Sequence, residues 1–337
     1  MRKKESLEEK VFKTIKRNKL IEKDEKIIVG VSGGPDSLSL LKILYDIKNN
    51  ISKYGLTYKI IVAHINHQIR KEANEEEKFV KEICKKYNIE FYSKRIDIKK
   101  VANNNKIGTE EAGRKIRYEF FEQIGIKTNA QKIAIAHNKN DNVETIIMNA
   151  LRGASISGLK GIQPSNGKII RPLIECSRDE IEEFCREFNL NPKIDKTNFE
   201  NIYTRNKIRN IVIPYIKKEF NSNIIETLNR LSYTVRKEDS FIEKIVIEEF
   251  NKLKIEEEEK KITLDLKKFN ELHEVIKARL LLYTITKVLG TSQGIYQIHI
   301  EDMIKLCSKN IGNKYLTPNK NIKIFIKKQK IHITAQN

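Results

Sequence analysis

Cysteine is scarce in this sequence, with four residues among 337. Cys84, Cys176, Cys185 and Cys307 form no C-x-x-C pair, so neither a disulfide framework nor zinc or iron–sulfur ligand spacing is encoded. They read as buried small hydrophobes. Glycine (14) and proline (6) are also sparse, which excludes collagen-like and Pro-rich disordered classes. No run approaches the ~20 apolar residues that a membrane-spanning helix needs. The longest, around residues 59–65 and 131–137, are strand-sized. The opening stretch MRKKESLEEKVFKTIKRNKL is basic but has no apolar core and no small-residue cleavage site, so it does not read as a secretory signal. The expectation is a cytoplasmic protein without membrane attachment.

Charge, by contrast, is plentiful. Charged residues make up 33% of the chain and hydrophobic residues 39%, enough for real cores. At ~150 residues per domain the length suggests about two domains. Lys and Arg number 65 against 45 Asp and Glu, a formal charge of +20. Up to Lys218 there are 44 basic and 29 acidic residues, or +15, and after it 21 and 16, or +5. Such an excess suits a polyanion, most simply nucleic acid. A Lys- and Ile-rich composition produces the same excess without a partner.

Residues 6–20 have the spacing of an amphipathic helix. Strand-like runs at 26–31, 58–66, 89–96 and 132–137 then alternate with helical patterns at 37–49, 72–87, 110–125 and 141–152. The strands are apolar on both faces, which argues for a parallel, Rossmann-like α/β sheet with helices on both sides. Beyond about residue 172 the texture turns helical, with patterns at 178–188, 202–218, 221–250, 270–290 and 300–308. The acid run 256–259 reads as a solvated turn. The stretch 320–334 alternates lysine with isoleucine and reads as a β-hairpin with one wet, basic face. That face suits either a phosphate backbone or a lysine-guarded sheet edge. The expected division is 1–218 and 219–337, the second part smaller and mostly helical, with the boundary near Lys218.

The most informative stretch is Ser32-Gly33-Gly34-Pro35-Asp36-Ser37, between the first strand and its helix. Open α/β folds place ligands at such strand ends. Gly33 and Gly34 let backbone N–H groups approach a ligand closely, and Pro35 suits a first helical position. The helix N-terminus attracts phosphate, while Ser32 and Ser37 add hydroxyls. Asp36 beside a phosphate implies a cation between them, such as Mg²⁺. There is no G-K-[ST], so this is not a Walker A loop.

SGGPDS resembles the loop of the N-type ATP pyrophosphatase (PP-loop) superfamily, which splits ATP between its α and β phosphates. Four further segments narrow the resemblance: AHINHQIR at 63–70, EEAGRKIRY at 110–118, AHNKNDNVETIIMNALRG at 136–153 and DKTNFENIYTRNKIR at 195–209. In this order, through residues 26–214, they are similar to the tRNA(Ile)-lysidine synthase family. The last segment is the most specific, since Tyr203, Arg205, Asn206 and Arg209 are rare neighbours by chance. Asn138 and Asn140 depart from the His and Asp that the family often has there, whereas Asp141, Glu144 and Thr145 match.

The resemblance implies ATP and Mg²⁺ as cofactors, and L-lysine and a tRNA(Ile) with a CAU anticodon as substrates. It implies an adenylated wobble cytidine that lysine displaces. Residues 219–337 are expected to carry tRNA selection, on the lysines clustered at 320–330. The loop residues 32–37 and His64 are expected around the nucleotide, with Asp36 toward the metal. His64, Asn66 and His67 read either as a hydrogen-bonding network there or as structural caps, and His137 likewise. Asp141 and Glu144 share one helix face and suit a cation, Mg²⁺ or the lysine ammonium, with Asp141 also a candidate base. Otherwise they are an acidic first turn complementing the helix dipole. Arg114 and Arg117 share a face from which at least one meets phosphate, and Arg114 is taken as catalytic. Arg205 and Arg209 are expected to face RNA. A homodimer is as compatible with these motifs as a monomer. Two other readings stay open. One is a tRNA thiolase of the same superfamily, although those using iron–sulfur clusters need paired cysteines. The other is a non-catalytic RNA-binding protein on a nucleotide-binding fold, against which the intact loop argues.

Overall fold

In the computed structural model the structure describes residues 5–68, 73–193, 201, 203–309 and 314–336. The chain divides into two compact units, Met1–Tyr233 and Thr234–Asn337. The first holds α1 (Leu7–Arg17), β1 (Glu25–Gly30), α2 (Pro35–Asn49), α3 (Ile51–Tyr54), β2 (Tyr58–Asn66), α4 (Ala73–Lys86), β3 (Glu90–Arg95) and α5 (Ile98–Asn105). It continues with α6 (Thr109–Thr128), β4 (Lys132–Ala134), α7 (Lys139–Leu151), α8 (Ile156–Leu159), β5 (Ser165–Asn166), β6 (Ile169–Ile170) and α9 (Arg178–Glu187). After these come α10 (Thr204–Lys207), a π-helical turn at Ile208–Val212, α11 (Ile213–Glu219) and the start of α12 (Ile224–Leu253).

The sheet of this unit has the order β3-β2-β1-β4-β6-β5. Every pairing is parallel except that of β5 with β6. Apolar residues on both faces of β1 make this arrangement stable. Ile27 and Val29 pack with Leu41 and Leu44 on one side, and Ile28 packs with Phe120, Phe121 and Ile124 on the other. Each such side chain removed from water contributes roughly 1.5–3 kcal/mol. The two-residue strands β5 and β6 are too short to carry an alternation signal, and they extend the expected four strands to six. No helix among the described residues is long and apolar enough to cross a membrane.

The second unit contains the rest of α12, β7 (Lys254–Glu258), β8 (Lys261–Asp265), α13 (Leu266–Glu271), α14 (Glu274–Leu289), α15 (Gln297–Lys309), β9 (Tyr315–Asn319), β10 (Ile322–Lys327) and β11 (Lys330–Ala335). Its strands form one antiparallel sheet ordered β7-β8-β11-β10-β9. Ile322, Ile324, Ile326, Ile331 and Ile333 are buried in a core shared with Leu280, Leu281 and Met303 of α14 and α15. The expected hairpin is therefore β10–β11, but it lies inside a five-stranded sheet. Its lysines cannot be guarding an edge. The acid run expected as a turn is largely strand β7, where Lys261 draws Glu256 to 2.7 Å. The helical stretch expected at 270–290 is two helices, because His273 starts α14 as its N-cap, accepting the Val275 N–H at 3.2 Å. The boundary between units falls inside α12 at Tyr233, later than Lys218, because the first turns of α12 belong to the first unit. Ile225 joins a cluster with Val143, Ile208 and Ile213, and Asn229 meets Asn142 at 2.8 Å.

All four cysteines are free and buried. Burial pushes the thiols of Cys84, Cys176 and Cys307 up to about 12, and that of Cys185 upward. A thiolate reagent near pH ~8 should therefore label the folded chain slowly and all four cysteines once it is unfolded. Rapid reaction of any thiol in the folded chain would contradict this.

Candidate active site

β2 flanks β1 on one side and β4 on the other, so the connections leaving β1 and β4 diverge and open a crevice at their C-terminal ends. A cavity of about 1080 Å³ occupies it. The loop after β1, the ends of β2 and β4, and helices α6, α7 and α9 wall it. Its apolar side includes Gly30, Ala63, Ile65, Phe121 and Ile135. A Cβ at Gly30 would lie 2.7 Å from the tip of the Phe121 ring, so only glycine lets that ring close against the strand end.

The loop is held in shape by its own hydroxyls. Ser37 Oγ accepts the Ser32 N–H at 3.1 Å and donates to the Gly34 carbonyl at 3.0 Å. Ser32 Oγ lies 3.2 Å from it. Gly33 has φ +92°, a conformation that favours glycine, and its carbonyl accepts the Lys193 N–H at 3.0 Å. Gly34 is the N-cap of α2 and Pro35 follows it, as a helix start requires. The 15-residue helix thus presents its N-terminus to the cavity, a geometry suited to anions.

Asp36 and Asp141 both line the cavity. Burial first, and the Asp141 charge second, hold the Asp36 carboxyl above its usual range. Asn138, which is fully buried, donates from Nδ2 to Asp36 Oδ1 at 2.7 Å. It also forms a reciprocal capping box with Asp141: Oδ1 accepts the Asp141 N–H, and Asp141 Oδ2 accepts the Asn138 N–H, both at 3.0 Å. Asn140 accepts the Arg178 N–H at 3.0 Å, which fixes the start of α9. Both departures from the family pattern therefore have structural work here that needs no charge.

Arg205 and Arg209, expected to face RNA, direct their guanidiniums into the protein. Glu144 is only 1% exposed. It accepts from Arg205 Nε at 2.8 Å and from Arg209 Nε and Nη2 at 2.5 and 2.9 Å. Arg209 Nη2 also reaches Asp141 Oδ1 at 3.1 Å. The cause is geometric: an i, i+4 pair of arginines matches an i, i+3 pair of acids, and a carboxylate this deeply buried requires cationic partners. Glu144 thus orients the arginines, and Asp141 is the member of the pair in the cavity wall.

His64 sits behind that wall. Its Nδ1–H donates to the Val31 carbonyl at 2.8 Å, just ahead of the loop, and its Nε2 has no hydrogen-bond partner among the described residues. The histidines that line the cavity are His67 and His137. Burial, then the charge of Arg117, lowers His67 to about 4. Burial, then Arg171, lowers His137 to about 3, and its Nδ1 accepts from Arg171 Nε at 3.1 Å. Both rings are therefore neutral near pH ~7. Arg117 lines the cavity, whereas Arg114 stands 5.3 Å over the Tyr118 ring and is not part of the wall. Sequence reasoning passed over Arg178 and Arg186 of α9 and Lys193, all of which line the cavity. Their signal was the capping box Ser177/Glu180, which starts a helix whose i, i+4, i+8 face carries Arg178 and Arg186. Arg70, Asp195, Thr197 and Asn198 of the quoted motifs lie outside the described residues.

Residues 3–216 match the PP-loop domain family. The chain is similar to a tRNA(Ile)-lysidine synthase of Clostridioides difficile (strain 630), 42% identical over 330 residues, covering 97% of this chain and 70% of that protein. It is similar to another of the same name from Caldanaerobacter subterraneus subsp. tengcongensis, 42% identical over 312 residues, covering 92% and 65%. It thus spans about two thirds of the length of these relatives. Among solved structures it is similar to the U34-tRNA thiolase NcsA from Methanococcus maripaludis, with a TM-score of 0.53 and 21% identity over 67% of this chain and 77% of that one. At that identity the likeness concerns the fold.

Two outcomes follow from this geometry. Arg209→Ala leaves Glu144 with one guanidinium and should cost about 3 kcal/mol, with Glu144→Gln in the same background recovering part of it. A denaturant midpoint unchanged by Arg209→Ala would show that the network carries no stability. The second concerns pH. His137 sits near 3 in the folded chain against 6.5 for a free imidazole, so its contribution to stability is complete above 6.5 and drains as the pH falls toward 3. His137→Gln should flatten the loss of stability across that window. An unchanged slope would reassign it to other groups.

Proposed function

The chain belongs to the tRNA(Ile)-lysidine synthases, PP-loop enzymes that use ATP to modify tRNA, and on that premise we propose that it joins L-lysine to C2 of the wobble cytidine in the CAU anticodon of tRNA(Ile). The observation that carries this reading is that Asp36 of the SGGPDS loop and Asp141 of α7 face one cavity and are held there by a single buried asparagine.

In this mechanism ATP lies with its phosphates at the loop and the N-terminus of α2, and its base against the apolar strand ends. Arg117, Arg178 and Lys193 offset the phosphate charge from the cavity wall. The C2 oxygen of the cytidine attacks the α-phosphorus. The bond to the β-phosphate oxygen breaks, and pyrophosphate leaves with the electron pair. The ε-amine of lysine, freed of its proton by Asp141, then attacks C2, and AMP departs with the former C2 oxygen. Adenylation has turned that oxygen into a good leaving group. Glu144 acts through Arg205 and Arg209, whose placement leaves Asp141 at the cavity. Asp36, with Asp141 nearby, is a hard-oxygen donor set of the kind that holds Mg²⁺ together with phosphate oxygens and water. When bound there, the ion neutralises charge on the departing pyrophosphate. The target base must be splayed out of its loop, as single-stranded RNA permits. The first unit performs the chemistry, the second selects the tRNA, and the work is cytoplasmic.

Mass spectrometry of tRNA(Ile) bearing a CAU anticodon, after incubation with ATP and lysine, should reveal one lysidine for each AMP released. Asp36→Asn should lower AMP formation by about a hundredfold or more in a chain that remains folded. A folded Asp36→Asn enzyme with near wild-type turnover would remove Asp36 from the mechanism, and bound but unmodified tRNA would sink the assignment.

A further inference from the structure

The outer face of the second unit's sheet carries a pattern that catalysis does not use. The strand register pairs Tyr315 with Phe325 across β9–β10, Phe325 with His332 across β10–β11, and His332 with Thr263 across β11–β8. Three rings therefore form one row over three neighbouring strands, on the face opposite the buried isoleucines. Phe325 and His332 are stacked, with centroids 4.7 Å apart and planes at 17°. Lys323 Nζ lies 4.2 Å from the Tyr315 ring and 5.9 Å from that of Phe325. Tyr315 is 59% exposed, and Phe325 and His332 are half-buried.

Charge on this face is polarised. Lys323 and Lys327 of β10 and Lys330 of β11 flank the row, and the sequence from 303 to 337 holds eight lysines and no acid. The acids of the face lie toward β7 and β8: Glu256, which Lys261 holds at 2.7 Å, Glu258, and Asp265 at the end of β8. β10 and β11 are interior strands, so these lysines are not blocking edge-to-edge pairing. Aromatic rings set among uncompensated lysines are the two components of a surface that binds single-stranded nucleic acid. A duplex hides its base faces and offers such rings nothing to stack on.

We propose that this row is a stacking platform for an unpaired stretch of the tRNA. Bases pack on Tyr315 and Phe325, and Lys323, Lys327 and Lys330 follow the phosphates. Three strands at ~4.8 Å spacing give room for about two or three bases. The identity of the RNA rests on the function proposed above, whereas the stacking mode rests on the sheet alone.

The test uses the full chain and fluorescently labelled tRNA(Ile), with affinity measured over a range of salt concentrations. Tyr315 is exposed, so Tyr315→Ala is expected to fold, and matching melting curves check this. Tyr315→Ala should bind about tenfold more weakly with an unchanged salt slope, and Tyr315→Phe should restore affinity. Lys323→Gln should instead reduce the salt slope by about one. A short single-stranded RNA should displace the tRNA where a duplex of equal length does not. Tyr315→Ala affinity within twofold of wild type would overturn the proposal. So would equal competition by the duplex, or a change in self-association with tRNA affinity intact. Failure of the ligase reading would appear separately, as wild-type enzyme that makes no lysidine at saturating tRNA.

Discussion

Asn138 begins α7 fully buried, with its amide nitrogen on Asp36 and its amide oxygen on the Asp141 N–H. These contacts join the loop after β1 to the helix after β4, two segments that the sheet topology sends in opposite directions. A buried amide is costly to leave unpaired, so its two hydrogen bonds, with a third from the Asn138 backbone N–H to Asp141, fix the relative placement of the two carboxylates more firmly than either loop would alone. Burial, and after it the nearby Asp141 charge, holds the Asp36 carboxyl above its usual range. Arg209, hydrogen-bonded to Asp141, moderates the repulsion. The site is thus a pair of like charges kept close by a neutral hydrogen bonder and eased by a cation. Such an arrangement favours ligands that bring positive charge with them.

The same logic explains why Glu144 is so deeply buried. With Val143 packed into the cluster of Ile208 and Ile213, the neighbouring carboxylate is drawn inward and requires partners there. Arg205 and Arg209 supply them from a segment that folds back along α7. Part of the chain's positive charge is therefore neutralised internally. A count of basic residues overstates what is offered to a polyanion by the groups committed in this way.

The first unit was largely legible in sequence. β1, β2 and β4 are apolar runs on which two cores close, and SGGPDS lies where a strand yields to a helix. Which polar side chain enters the cavity was less legible. Arg114 and Arg117 are three residues apart, about 60° around α6, so a shared face still leaves one in the wall and the other over Tyr118. His64 lies within β2 and points behind the loop, while His67 follows the end of the strand and reaches the cavity. Periodicity identifies a face but not what covers it. For that reason Arg205 and Arg209 looked like an RNA-facing pair when their partners lay sixty-odd residues earlier in the chain.

In the second unit the local alternation of 320–334 was legible and its surroundings were not. Isoleucines on one face and lysines on the other describe an edge hairpin and a central one equally well. The distinction depends on β8 and β9, and β8 arrives from more than fifty residues away in sequence. Once the hairpin is central, the meaning of its lysines changes. On an edge they would repel other strands. In the middle of a sheet they lie over a continuous surface, and cross-strand pairing sets Tyr315, Phe325 and His332 in register beside them. A net charge of only +5 for residues after Lys218 conceals this, because every acid of that part precedes residue 303 and eight lysines follow it. Over distances longer than the screening length of about 8–10 Å such charges act separately, so the arrangement, rather than the sum, determines what the face attracts.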